Sequence, residues 1–283
     1  MAWVSLVAFV LFLERSFNSG GPIVKLSPFR RPTFAFACVF NLVIGFGLYS
    51  STYLIPVYLG RVRDYDSLQI GTTVFVTGIA QVASTVIAAR ASQTVDQRIV
   101  IVIGLSLFAT SLWLASRLTP EWGFAALLLP QMLRGFAIML CIVPSVGLAL
   151  NGFGASELRY ASGLFNLMRN LGGAIGIATV NTWLQDNTRI EASRMGQALG
   201  ESGRRAPDFL AALTGQIARV TADPTHASQL AGAEFSKLVG RAALTSAFND
   251  VFRLMSWMFL AALILVPFCR PLPSTPVATT DAH

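Results

Sequence analysis

Histidine and lysine are nearly missing from this sequence. His226 and His283 are the only histidines, and both stand far from Cys38, Cys141 and Cys269. No metal-ligand spacing exists, so no metal site is expected. All three cysteines lie in apolar runs, which argues against a disulfide framework. No histidine falls in an apolar run and no G-x-S-x-G occurs, which argues against an intramembrane hydrolase. Charge is scarce: 12% of residues are charged, where a soluble domain carries about 25%. What fills the chain instead is apolar, at 54% hydrophobic residues and a mean hydropathy of +0.60. Long apolar runs alternate with short basic punctuation, the composition of a polytopic membrane protein.

The first run, Ala2 to Leu13, is too short to span, since a span needs roughly twenty residues. It lacks the positive leader and small-residue cleavage site of a signal peptide. It reads as the end of a membrane helix whose beginning is missing. Six full-length runs follow, at about Thr33–Gly60, Leu68–Ala89, Ile99–Arg117, Trp122–Asn151, Leu158–Leu184 and Phe248–Cys269. In lipid such runs must satisfy their own backbone groups, which favours helices. The alternating short strands of an outer-membrane barrel are absent.

The net charge of +7 raises nucleic acid as a partner. The basic residues form no patch, however. Arg15, Lys25, Arg30, Arg31, Arg90, Arg98, Arg159 and Arg270 sit at the ends of apolar runs, as topology signals do, so no nucleic-acid partner is expected. The opposite loops carry Arg61, Arg63 and Arg117, and the positive-inside rule therefore puts the C-terminus in the cytoplasm. The segment 185–247 is then outside. Its apolar spacing at Phe209, Leu210, Leu213, Ile217 and Val220 predicts an amphipathic helix lying on the membrane or on a partner.

Several stretches resemble one family. "GGPIVKLSPFRRPTF" (20–34), "YLIPVYLGRVRDYDSLQIG" (53–71), "PQMLRGFAIMLCIVP" (130–144), "ASGLFNLMRNLGGAIGIA" (161–178) and "RAALTSAFNDVFRLMS" (241–256) are similar to the fourteen-helix drug:proton antiporters of the major facilitator superfamily (EmrB/QacA type). The third and fourth look like the twelfth and thirteenth helices of that family. The resemblance covers nearly the whole chain, in order. It implies an all-α integral membrane fold, a six-helix bundle (33–270) preceded by the end of a linker helix (1–13) and a cytoplasmic linker (14–32). A cytoplasmic tail (271–283) follows. The N-terminal bundle of the family, with most of its proton-coupling acids, has no counterpart here, and no Asp or Glu lies near the middle of any run. "AARASQTVDQR" (88–98) fits the family's basic cytoplasmic turn through Arg90, Asp96 and Arg98, with Ala89 and Val86 standing where glycine and proline are common.

Three groups of residues are candidates for chemistry. Arg134 lies about 18 Å along its run, near the midplane, where an arginine requires a partner or a watery cavity. Gln131, Arg134, Ile138, Cys141 and Ser145 share its helix face, and the resemblance places this helix on the central cavity. Arg134 then touches substrate, or it is a structural arginine bonded to carbonyls freed by Pro130 or Pro144. The resemblance makes the stripe of Asn41, Gly45, Tyr49, Thr52 and Pro56, with Tyr53 beside it, the other cavity wall. Ordinary helix packing is the alternative. Ser162, Asn166, Arg169, Gly173 and Gly176 share a face too, with Gly172 adjacent. Small residues admit another helix closely. We expect a gate surface that Arg169 latches to the other bundle, or else packing within one bundle with a snorkelling arginine. "GGAIG" lacks the spacing of a dinucleotide loop.

The implied function is export of small amphiphilic drugs or toxic compounds by proton antiport, with the C-terminal half of the transporter present. No cofactor is implied beyond the proton gradient. Implied partners are membrane lipid, the missing N-terminal bundle, and a periplasmic adaptor with its outer-membrane channel. The implied location is the bacterial inner membrane. A truncated non-transporting membrane protein, a half-transporter needing a second chain, and a different permease of the superfamily share the same motifs.

Overall fold

The apolar runs fold as helices wherever the computed structural model describes them, namely over residues 27–201, 205–219 and 224–268. Among the described residues there is no strand. The helices are α1 (Pro32–Arg61), α2 (Ser67–Thr94), α3 (Gln97–Ala115), α4 (Phe124–Leu150), α5 (Ala155–Glu201), α6 (Arg205–Ile217) and α7 (Pro224–Ala262). Short 3-10 turns occupy Ser27–Arg30 and Leu263–Phe268. The expected linker helix at 1–13, most of the linker at 14–32, Val220, Cys269 and the tail at 271–283 lie outside the described residues.

Local chemistry sets the boundaries. Pro32 opens α1 at a position where the missing N–H is not needed. Asp66 and Gln69 close a reciprocal capping box on α2, at 2.8 and 3.2 Å. Asp96 caps α3 by accepting from the Arg98 N–H at 2.9 Å. Only Val95 and Asp96 link α2 to α3, so the turn is short without a glycine at Ala89. Between α4 and α5, Gly152 adopts φ 82°, a left-handed conformation that favours glycine.

Four helices, α1 to α4, are long and apolar enough to cross a membrane. The fifth and sixth runs are parts of longer helices. Residues 158–184 lie inside the 47-residue α5, and 248–262 end the 39-residue α7. At 1.5 Å per residue α5 is about 70 Å long, twice the hydrocarbon thickness. The segment 185–247 is therefore largely a helical extension of the bundle. In it α6 packs on α7, with the Phe209 and Phe235 rings 5.8 Å apart. Phe209 of the expected amphipathic stripe thus meets the protein's own helix. On the same extension Ser246 Oγ donates to Glu191 Oε2 at 3.3 Å, joining α7 to α5.

Within the bundle α1 packs on α5, α4 on both α2 and α3, and α7 on α3 and α5. The core draws Leu54 and Tyr58 from α1, Leu105 and Phe108 from α3, Leu127 and Ile138 from α4, and Phe248, Phe252 and Phe259 from α7. Phe108 and Phe259 stack at 4.4 Å, and a Cβ at Gly47 would strike the Phe259 ring. Lipid tails are as apolar as leucine, so close packing and polar bonds, not burial alone, hold such helices together. The outer face of α2 shows Leu68, Phe75, Ile79, Val82 and Val86 to the surroundings.

Both ends are clasped. At one, Arg31 Nη1 donates to the Gly152 carbonyl at 2.7 Å, lies 4.3 Å from the centre of the Phe153 ring, and pairs with Glu157 at 3.7 Å. At the other, Tyr58 donates to the Thr119 carbonyl at 2.6 Å and Asn249 to that of Leu118 at 2.9 Å. Arg241 there pairs with Asp64.

Candidate functional site

The helices α1 and α5 meet along a seam in which glycine and polar side chains alternate. A Cβ at Gly172 would collide with the Leu42 carbonyl, and one at Gly45 with the Arg169 carbonyl. At Gly176 the Phe46 carbonyl would stand 2.8 Å away, and Gly173 lies under the Tyr49 ring. Each helix thus approaches the other's backbone, which only glycine permits. The surface that receives Gly172, Gly173 and Gly176 is α1 of the same bundle.

Polar side chains bridge this seam at successive heights. Asn41, fully buried, donates to the Phe165 carbonyl at 2.5 Å and accepts from Arg169 Nε at 3.1 Å. Arg169 is half-buried and lies 5.9 Å from the centre of the Phe165 ring. Among the described residues no carboxylate forms an ion pair with it. Farther along, the Tyr49 hydroxyl donates to Asn170 Oδ1 at 3.0 Å, and Tyr53 to Asn181 Oδ1 at 3.0 Å. Tyr49, Asn166 and Asn170 are exposed, while Tyr53 and Asn181 are half-buried. Asn41 to Tyr53 occupies the middle of α1, so this polar, aromatic surface lies at membrane depth. Asn181 was not singled out by sequence. Its place three helical turns beyond Asn170 on an otherwise small and apolar stretch was the available signal.

Arg134 does not share that exposed surface. It is 3% exposed, inside the bundle between α1, α2 and α4. Its Nη1 donates to the Ser51 carbonyl at 2.8 Å. Its Nη2 donates to Thr77 Oγ1 at 3.0 Å and to Gln131 Oε1 at 2.6 Å. Thr77 in turn donates to Gln131 Oε1 at 2.7 Å, and Gln131 Nε2 donates to the Thr73 carbonyl at 2.8 Å. The arginine thus ties three helices through neutral partners. The carbonyls that Pro130 and Pro144 free, at Ala126 and Leu140, are not among those partners. Thr77 was missed because a threonine in a membrane helix usually bonds its own preceding turn, and Ser51 and Thr73 because they take part through backbone carbonyls, which leave no mark in the sequence.

Arg90, Asp96 and Arg98 gather at the short α2–α3 turn. Asp96 serves as the α3 cap and Arg90 is exposed. Gln97 beside them fills the space over Gly147 of α4, where a Cβ would stand 2.9 Å from its amide nitrogen.

Residues 1–177 match the family model described as Major Facilitator Superfamily. The chain is 33% identical over 264 residues to the colistin resistance protein EmrB of Acinetobacter baumannii, covering 93% of this chain and 51% of that protein. It is 24% identical over 269 residues to the multidrug export protein EmrB of Escherichia coli K12, covering 95% of this chain and 51% of that protein. To the multidrug export protein EmrB of Haemophilus influenzae it is 23% identical over 272 residues, with 96% and 52% covered. The chain spans about half the length of the curated relatives it matches.

Proposed function

The chain belongs to the major facilitator superfamily, whose members are transporters rather than enzymes, and from that premise we propose that it forms the C-terminal six-helix bundle of an exporter of amphiphilic compounds driven by proton antiport. In this reading α5 and α7 cross the membrane alongside α1 to α4, and a second bundle completes the pathway. The observation that carries the reading is the seam at membrane depth in which Tyr49, Asn166 and Asn170 are exposed and Tyr53, Arg169 and Asn181 half-buried. Aromatic rings and amides with little fixed charge suit a bulky, partly apolar substrate. A helix face in contact with lipid has no use for such groups. Asn41 and Arg169 hold the seam in register, and rocking of the two bundles around it would alternate access.

Arg134 enters this reading as a clamp that keeps the cavity-side helix α4 fixed to α1 and α2. Arg30, Arg31, Arg90, Arg98 and Arg159 cluster at one end of the bundle, which supports a cytoplasmic C-terminus in an inner membrane. The helical extension formed by α5, α6 and α7 would stand outside and offers a surface to a periplasmic adaptor. Deleting 186–246 should then abolish adaptor co-purification.

The test of the reading is dye export by cells making the whole transporter. Tyr49→Phe combined with Asn170→Leu should cut export severalfold at unchanged membrane level, and collapsing the pH gradient should stop what remains. Unaltered export by the double variant would remove the seam from the pathway, and export indifferent to the pH gradient would remove proton antiport.

A further inference from the structure

We propose that the cavity beside Arg134 is a binding site for one small monovalent anion, chloride under cellular conditions. A guanidinium keeps its proton in proteins, so Arg134 is a permanent charge. It is buried at membrane depth, where a lone cation is expensive and calls for an opposite charge. The four helices α1 to α4 contain no Asp or Glu from which to supply one. The described ion pairs are Arg31–Glu157, Arg194–Glu191, Arg241–Asp64 and Arg253–Asp250, and none of them involves Arg134. The partners of Arg134 are a carbonyl, a hydroxyl and an amide oxygen, which share its hydrogens but leave its charge in place.

The guanidinium also has a direction left over. Its Nε is buried and has no hydrogen-bond partner. Arg134 lines an internal cavity of about 10 Å³, shared with Gln131, Ser111, Ile55, Leu112 and Phe252. That volume holds one water-sized particle. Gln131 Nε2 carries a second hydrogen beyond the one given to Thr73. The Ser111 hydroxyl gives its one hydrogen to the Pro130 carbonyl at 2.9 Å, so it is not a donor to the site. Donors from a cation and an amide, set among apolar walls, suit a halide. A water molecule would satisfy Nε as a hydrogen-bond donor but would leave the charge of Arg134 uncompensated. The anion would lie between α1, α3, α4 and α7, so its binding would join α3 and α7 to the cluster that Arg134 forms with α1 and α2.

The experiment is thermal unfolding of the purified protein in zwitterionic nanodiscs, with sodium gluconate exchanged for sodium chloride or bromide at fixed ionic strength. A site that binds only the folded state raises Tm with a saturating dependence on halide. We expect a rise of a few degrees that levels off, is lost in Arg134→Gln, and persists in Arg253→Gln, a variant of an exposed arginine. Should Arg134→Gln fail to fold, wild-type protein with bromide decides: one anomalous scattering peak within hydrogen-bonding distance of Arg134 Nε is expected. A Tm indifferent to halide, a rise that never saturates, or a cavity holding only water would overturn the proposal.

Discussion

The glycine seam makes one substitution act with opposite signs at two positions of α5. Alanine at Gly172 places a Cβ against the Leu42 carbonyl, a backbone atom that cannot swing aside. The helices must part. Overpacking of this kind costs about 1–3 kcal/mol. Parting also stretches the bonds from Asn41 to the Phe165 carbonyl and from Arg169 to Asn41, each worth about 1 kcal/mol. Against this stands the better helix propensity of alanine, about 1 kcal/mol. The net expectation is a loss of about 2–4 kcal/mol. At Gly163, nothing lies within 4 Å of the added methyl, and only the propensity gain remains, about 0.5–1 kcal/mol of stabilisation. Reversible unfolding in bilayers or detergent, read as the difference between Gly172→Ala and Gly163→Ala, measures the contrast. Equal effects at both sites would refute the account of how α1 and α5 approach.

Two further expectations concern α4 and the turns. Arg134→Leu removes bonds that average about 0.6 kcal/mol each in a membrane but also relieves a charge that costs about 2.5–3.5 kcal/mol there, so its stability should change little. Gln131→Leu keeps the charge and strips one of its three partners, so it should be the more damaging of the pair in the same unfolding assay; the reverse order would contradict the cost assigned to the buried charge. Asp96→Ala should cost about 1 kcal/mol through loss of the α3 cap, with Asp96→Asn recovering most of it, as judged by thermal stability.

Hydropathy located the helices because lipid forces a long apolar run to satisfy its own backbone. The run at Thr33–Gly60 and helix α1 at Pro32–Arg61 differ by one residue at each end. The same signal stopped too early on α5 and began too late on α7. Past Leu184 the chain turns polar while its alanines, arginines, glutamate and methionine still favour a helix, so hydropathy ends where the helix does not. Glycines at 172, 173 and 176 announced a close contact, but the identity of the facing helix is a tertiary fact. Leu42, Gly45 and Phe46 lie more than a hundred residues away, and no local pattern ties them together. Arg134 was legible as a charge at the midplane. Gln131, three residues away on the same face, was legible too, but Thr77 and the Ser51 carbonyl were not, because they come from two other helices.

The central claim is that the α1–α5 seam faces an aqueous substrate path while α2 faces lipid. It is tested most directly by cysteine accessibility in intact membranes. Single cysteines at Asn170 and Asn166 should react with a water-soluble maleimide and be protected by an exported dye. Cysteines at Phe75 and Val82, exposed on the outer face of α2, should not react. Inert seam positions beside reactive α2 positions would contradict the account.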